Sequence, residues 1–205
     1  VVLPTVGRDC LVDTLDSLAA SGFHDRDELL VIPDGHYKDS TRATVNAHIL
    51  APQVRFIEIE SGGFWGHPGR TKGMAAAKKQ LVMFTQDDQL FAPGALTAIR
   101  RAVGASKDWK TQGHFFRVVP RAGRTVPSGG GSWSLGDIDA DCIVLPVRQR
   151  ALFGLWDNSY NGDYIFISET KRKFEEAGFE FVWHEEVISV QRLHAGRYGQ
   201  FLNGG

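Results

Sequence analysis

Two cysteines, Cys10 and Cys142, are all that this 205-residue chain contains. So far apart in sequence, they suit neither a disulfide framework nor a metal cluster. They read as free thiols in a reducing compartment, which points to the cytoplasm. No run of about 18 apolar residues is present, so no segment reads as a membrane-spanning helix. Charge of one sign is missing too. Lys plus Arg number 23 against 24 Asp plus Glu, a formal net charge of −1, whereas a general nucleic-acid binder carries a basic excess. The opening VVLPTVGRDC reads as a strand entering a polar turn, not as a secretory signal, and the missing initiator Met points to a start upstream of Val1.

What is there is ordinary for a globular domain: 42% hydrophobic and 23% charged residues. The length suits one large domain over residues 1–205, with no internal repeat. Strand-like and helix-like segments alternate through the first half. Residues 1–3, 29–32, 54–59 and 81–85 read as strands. Leu11, Leu15 and Leu18 recur at helical spacing before Gly22, residues 41–50 and 72–79 suit helices, and Pro93 precedes a further helix carrying Leu96, Ile99 and Val103. In the second half, residues 115–119 read as a strand. Residues 121–136 form a long, basic, Gly-rich loop in which the run Gly129-Gly130-Gly131 suits a lid or a plain connector. Residues 138–147 mix strand-like and acidic character. Ile165 to Ala177 fit a helix ended by Gly178, residues 179–183 and 187–193 read as two closing strands, and the tail RYGQFLNGG looks frayed.

This order implies an α/β fold with a mostly parallel central sheet and flanking helices. In such sheets ligands bind at the carboxyl ends of strands, where Thr5 to Arg8, Asp34-Gly35 and Gln86 to Gln89 are expected. The adjacent carboxylates Asp87 and Asp88 suit a hard divalent cation, Mn2+ or Mg2+, shared with a diphosphate. A plain strand-end turn accounts for the pair equally. His184-Glu185-Glu186 lacks the second His of the zinc-protease pattern and reads as a turn.

Read together, the segments VVLPTVGRDCLVDTLDSL, LLVIPDG, PGRTKGMAAAKKQLVMFTQDDQLFAPGAL, LPVRQRALFGLWDNSYNGDYIFI and VISVQRLHAG resemble, in order, the motifs of GT-A fold glycosyltransferases, most closely the inverting family 2. The resemblance implies a nucleotide-sugar-binding half over residues 1–92 and an acceptor-side half over 93–205. The donor would be a UDP-, dTDP- or GDP-linked sugar held by Thr5, Asp34, Arg70, Lys72, Asp87 and Asp88. Asp88 and His194 would contact the metal, and Asp163 would be the general base for an acceptor hydroxyl. Without the resemblance, Asp163 reads as a helix cap. Trp65, Trp133 and Trp156 fall in loop-like regions, and Trp133 and Trp156 are the candidates for stacking on an acceptor; core packing is the alternative. The acceptor is open: a glycan, a small molecule or, from the basic stretch 117–124, DNA.

Three positions depart from the family pattern. Pro33 replaces the first acid of the second-strand turn, Gln86 the first acid of the metal motif, and Gly162 the acid before the catalytic Asp. A non-catalytic nucleotide-sugar-binding protein with a decayed site is the alternative that these departures favour. A nucleotidyltransferase would carry a Gly-rich basic loop after its first strand, where this chain has PTVGRDC.

Overall fold

The computed structural model describes residues 1–60, 63–129 and 133–192. Three short strands, β1 (Val2–Thr5), β2 (Leu29–Pro33) and β3 (Val54–Phe56), pair in parallel in the order β1-β2-β3. Their connections are the helices α1 (Leu11–Ala20) and α2 (Lys38–Asn46). The apolar spacing explains α1: Leu11, Leu15 and Leu18 share one buried face, each contributing about 1.5–3 kcal/mol of burial.

Helix α3 (His67–Ala76) leads into β4 (Leu81–Met83). A parallel bridge between Val2 and Phe84 and a hydrogen bond from Thr85 N to Val2 O (2.9 Å) join β1 to the segment after β4. The rest of the sheet is mixed, in the order β4-β7-β6-β8-β5. Its strands are β5 (Gln89–Phe91), β6 (Gly113–Val119), β7 (Ile143–Pro146) and β8 (Phe181–Gln191). Strands β6 and β8 run parallel, while β4-β7, β6-β7 and β5-β8 are antiparallel. Helices α4 (Ala95–Gly104) and α5 (Gly162–Glu176) complete the described elements used here.

Helix α3 begins at His67, five residues before the helix expected from its Ala-rich stretch. Its position depends on small residues. A Cβ on Gly66 or Gly69 would come within 3.0 Å of the Pro4 ring, and one on Gly73 within 2.4 Å of Val2. The backbone of α3 therefore lies directly on β1. The two expected closing strands are one, β8, in which Glu185 and Glu186 are exposed. Its pairing with β6 shifts register on either side of Arg117, and Arg117 forms an ion pair with Glu185. That excursion breaks the apolar pattern without ending the strand.

The strand order reverses between β1 and β4. The loops after β1, β2 and β4 therefore open together at that point, as expected for a ligand crevice of an open α/β sheet.

Candidate active site

Two cavities lie at this edge and share a wall. The smaller, about 270 Å³, is lined by Thr5, Arg8, Asp34, Gly63, Trp65 and Asp87 among others. The larger, about 420 Å³, is lined by residues that include Gln89, Asp139, Tyr160, Asn161, Asp163 and Gln191. Trp65, Arg70 and Gln86 face both.

At the smaller cavity the carboxylates of Asp87 and Asp34 are already paired. Asp87, 4% exposed, accepts at Oδ2 from Thr5 Oγ1 (2.7 Å) and Val6 N (3.1 Å), and at Oδ1 from Arg8 Nη1 (3.0 Å). Thr5 Oγ1 accepts in turn from Gly7 N (2.9 Å), and Cys10 Sγ donates to Asp87 O (3.2 Å). Asp87 thus ties the β1 loop to the end of β4. Asp34 Oδ2 accepts from Gly63 N (2.9 Å), fastening the loop before α3.

Asp88 is different. Arg8 Nη1 (3.0 Å) and Gln191 Nε2 (3.1 Å) meet its Oδ2, and Arg192 N donates to its main-chain oxygen (2.8 Å). Its Oδ1 is buried with no hydrogen-bond partner among the described residues. No group of three His, Cys, Asp or Glu residues suited to a metal ion occurs among the described residues, and His194 lies outside them. One orphaned carboxylate oxygen still fits a hard cation, because Mg2+ characteristically takes one or two carboxylates and completes its shell with phosphate and water.

Arg70, 2% exposed, stands at the junction of the cavities. Its Nη1 donates to Trp65 O (2.7 Å) and its guanidinium lies 5.2 Å from the Trp156 ring centroid. Its Nε has no hydrogen-bond partner among the described residues. His67 stacks on Trp156 (5.4 Å, 15°), and Trp156 on Phe166 (4.1 Å, 8°). Arg70 Nη1 approaches His67 Nδ1 (3.4 Å), while His67 Nε2 meets Ser159 O (3.2 Å). A guanidinium only donates, which assigns the ring proton to Nε2. Burial, with Arg70 beside it, holds His67 below the ordinary histidine range.

The larger cavity holds unpaired acid. Asp163 is in the first turn of α5, but the cap position belongs to Asn161 and no side chain caps that end. Asp163 Oδ1 lies 3.7 Å from His67 Nδ1 and is buried with no hydrogen-bond partner among the described residues. With the His67 proton on Nε2, no hydrogen bond joins the two. Asp139 Oδ1 accepts from Asp141 N (3.1 Å). Burial, reinforced by the Asp163 charge, pushes the Asp139 carboxyl up to about 6. Asp141 is pushed well above the usual carboxylate range, by burial first and Asp139 second, and neither of its oxygens has a hydrogen-bond partner among the described residues.

Gly162 has a steric reason. A Cβ there would fall 2.5 Å from both His67 Nε2 and Asp157 O. The imidazole occupies the space that an acidic side chain would need to leave this position.

The cavities gather Thr5, Asp34, Arg70, Asp87 and Asp163 of the expected residues; Asp88 neighbours them through Arg8. Three other expected residues stand outside the linings of the two cavities. Lys72 is exposed on α3 and lines neither cavity. Trp133 packs on Phe115 and Trp183, with its Nε1 donating to Ser168 Oγ (3.1 Å). Trp156 is buried beneath His67 and Arg70. Both rings are packing, because their apolar faces are covered by neighbouring side chains. The run Gly129-Gly130-Gly131 lies partly, and the tail wholly, outside the described residues.

Residues 1–112, just over half the chain, match the sequence profile of Glycosyl transferase family 2. The chain belongs to glycosyl transferase family 2. No curated protein matches in sequence. Among solved structures this family 2 glycosyltransferase is similar to S. aureus TarS 1–349 in complex with UDP, at TM-score 0.70 and 14% identity, over 92% of this chain and 58% of that one. TarS 1–349 in complex with UDP-GlcNAc matches at TM-score 0.66 and 14% identity, over 92% and 56% of the two chains. The chain therefore spans less than two thirds of the TarS fragment, and the likeness is one of fold, the expected GT-A α/β type. No helix among the described residues is long and apolar enough to cross a membrane.

Three residues of the candidate site had no role assigned from sequence: Arg8, named only as the end of the stretch Thr5 to Arg8, His67 and Asp139. Arg8 stands inside a segment that carried the resemblance, and His67 immediately precedes one, separated from Trp65 by Gly66. Asp139 stands in the acidic pair Asp139-Ala140-Asp141 just before β7, a signal that was there to weigh.

Proposed function

We propose that this domain transfers a sugar from a UDP-linked donor to an acceptor hydroxyl with inversion, Asp163 acting as general base. One observation carries the reading. Asp163, whose Oδ1 is buried and unpartnered among the described residues, lines a cavity that meets a second cavity across Trp65, Arg70 and Gln86. Inversion by single displacement needs a base on the acceptor side and electrostatic relief for the leaving diphosphate on the other. The smaller cavity takes the nucleoside beside Thr5 and Asp34, in line with the UDP held by TarS. Arg70, buried at the junction, offers its charge to the diphosphate. The acceptor enters the larger cavity, and its hydroxyl proton passes to the Asp163 carboxylate as the oxygen attacks the sugar carbon and the diphosphate leaves.

A divalent cation, Mn2+ or Mg2+, fits beside Asp88 Oδ1, with His194 the second candidate ligand. Bound there, it would neutralise charge on the departing diphosphate. Arg8 meets both Asp87 and Asp88, so it holds the pair in place with or without the ion.

The test has two parts. UDP and UDP-sugars, with and without Mn2+, should raise the melting temperature of the chain through selective binding to the folded state. Asp163→Asn should keep that shift and lose about 10²–10⁴-fold in turnover of the donor, the range that a positioned base contributes. Full turnover in the variant would remove Asp163 as base. Binding of UDP-sugar without turnover by the unmodified chain, on acceptor or water, would leave a nucleotide-sugar-binding module.

A further inference from the structure

Trp65 has the only positive φ recorded for a described non-glycine residue, 55°. Such a conformation costs on the order of 1–3 kcal/mol and persists only where the surroundings enforce it. Here they do. Buried Arg70 grips the Trp65 carbonyl, Gly66 follows in the left-handed region (φ 81°) against Pro4, and Gly66 N donates to Gly63 O (2.9 Å). The result is an indole that is 60% exposed at the mouth of both cavities, the opposite of what burial alone would favour for Trp. Tyr160, 79% exposed, meets it edge-to-face at 5.6 Å and 81°. Two aromatic faces thus stand at right angles on the rim of the larger cavity, and Leu135, also exposed, lines the same cavity.

Resting on the transfer reading above, we propose that the acceptor is a pyranoside whose ring docks against the corner formed by Trp65 and Tyr160. A pyranose has two chemically distinct parts. Its C–H faces pack on aromatic rings, and its equatorial hydroxyls need planar hydrogen-bonding partners. The larger cavity offers both: the two rings at its mouth, and Asn161, Gln86, Asp139 and Asp163 within. Its size falls in the range of about 300–1,000 Å³ typical of small-ligand sites. Other acceptors fit less well. A lipid chain would leave Asp163 Oδ1 without a partner, at a cost of several kcal/mol. A nucleic-acid acceptor would bring phosphates against the carboxylates of Asp139 and Asp163. Hydroxyl groups donate to carboxylates, so a sugar satisfies them.

Saturation-transfer NMR on the full chain tests this with a panel of methyl pyranosides and octyl glucoside, beside the UDP melting shift. Ring protons of at least one pyranoside should receive saturation. Tyr160→Ala should weaken that binding about fivefold or more and leave the UDP shift unchanged, since Tyr160 lines only the larger cavity. Trp65→Ala should weaken it about tenfold or more, with partial recovery in Trp65→Phe. Three results overturn the proposal: no ring-proton saturation from any pyranoside, unchanged affinity in Tyr160→Ala, or saturation of octyl glucoside confined to its alkyl chain. A retained UDP shift with any of these sinks the pyranoside corner alone. A missing UDP shift with pyranoside bound at Tyr160 sinks the donor reading instead.

Discussion

Two carboxylates on opposite sides of this site, Asp87 and Asp163, are treated in opposite ways. On the proposed donor side, Asp87 meets a hydroxyl, a backbone amide and a guanidinium, from Thr5, Val6 and Arg8. On the proposed acceptor side, Asp163 holds a buried oxygen with no hydrogen-bond partner among the described residues, and Asp139 is pushed up to about 6. The difference separates architecture from chemistry. A carboxylate with all its partners is a fastening, and removing it costs stability. One held out of water without partners costs the fold something to keep, and such costs concentrate where a ligand or a proton is to be met.

Asp87→Ala puts the first half of that comparison at risk and should have the largest effect on stability. Thr5, Val6 and Arg8 would lose their shared acceptor. The expected cost is about 3 kcal/mol in chemical denaturation, together with loss of the UDP melting shift as the β1 loop is released. A variant as stable as the parent would show that the loop is held by other means.

Asp139→Asn tests the other half, with the opposite sign. The folded-state carboxyl titrates near 6, above its ordinary value of 3.8. Between those values the folded chain keeps a proton that the unfolded chain releases, so the Asp139 contribution to stability falls as pH rises through about 4 to 6. The Asn variant lacks this loss. It should be more stable than the parent at pH 7.5, by at most about 3 kcal/mol for a shift of this size. The advantage should close as pH falls toward 4, as followed by melting temperature against pH. An advantage independent of pH would mean that packing, not ionisation, is responsible. Smallest of all, Lys72→Ala should change stability by less than about 0.5 kcal/mol, as is usual for an exposed side chain, and leave UDP binding intact. A lost UDP shift would return Lys72 to the donor site.

Much of the donor side was legible in sequence, because strand-end loops after β1, β2 and β4 are placed by topology alone. Thr5, Asp34 and Asp87 follow directly from that. The acceptor side was less legible. Asp163 was proposed only through a motif, and Trp133 and Trp156 stand outside the cavity linings because sequence does not tell which way a loop aromatic faces. Trp65, given less weight than either, is the exposed one, turned outward by a backbone angle that composition cannot reveal. The split of β8 into two expected strands has a similar origin. Glu185 and Glu186 interrupt the hydrophobic run, but the ladder to β6 continues past them through a register shift.

The contact between Gly162 and His67 carries a consequence for how this lineage can change. The two positions lie far apart along the chain, yet one side chain stands where the other would begin. Neither can be revised alone. A side chain at 162 would collide with the ring at 67 and with the main-chain oxygen of Asp157, and a smaller residue at 67 would remove only the first of these obstacles while opening a void above Trp156. What looks in sequence like a lost acid is a position that the neighbouring ring and backbone together leave no room to fill.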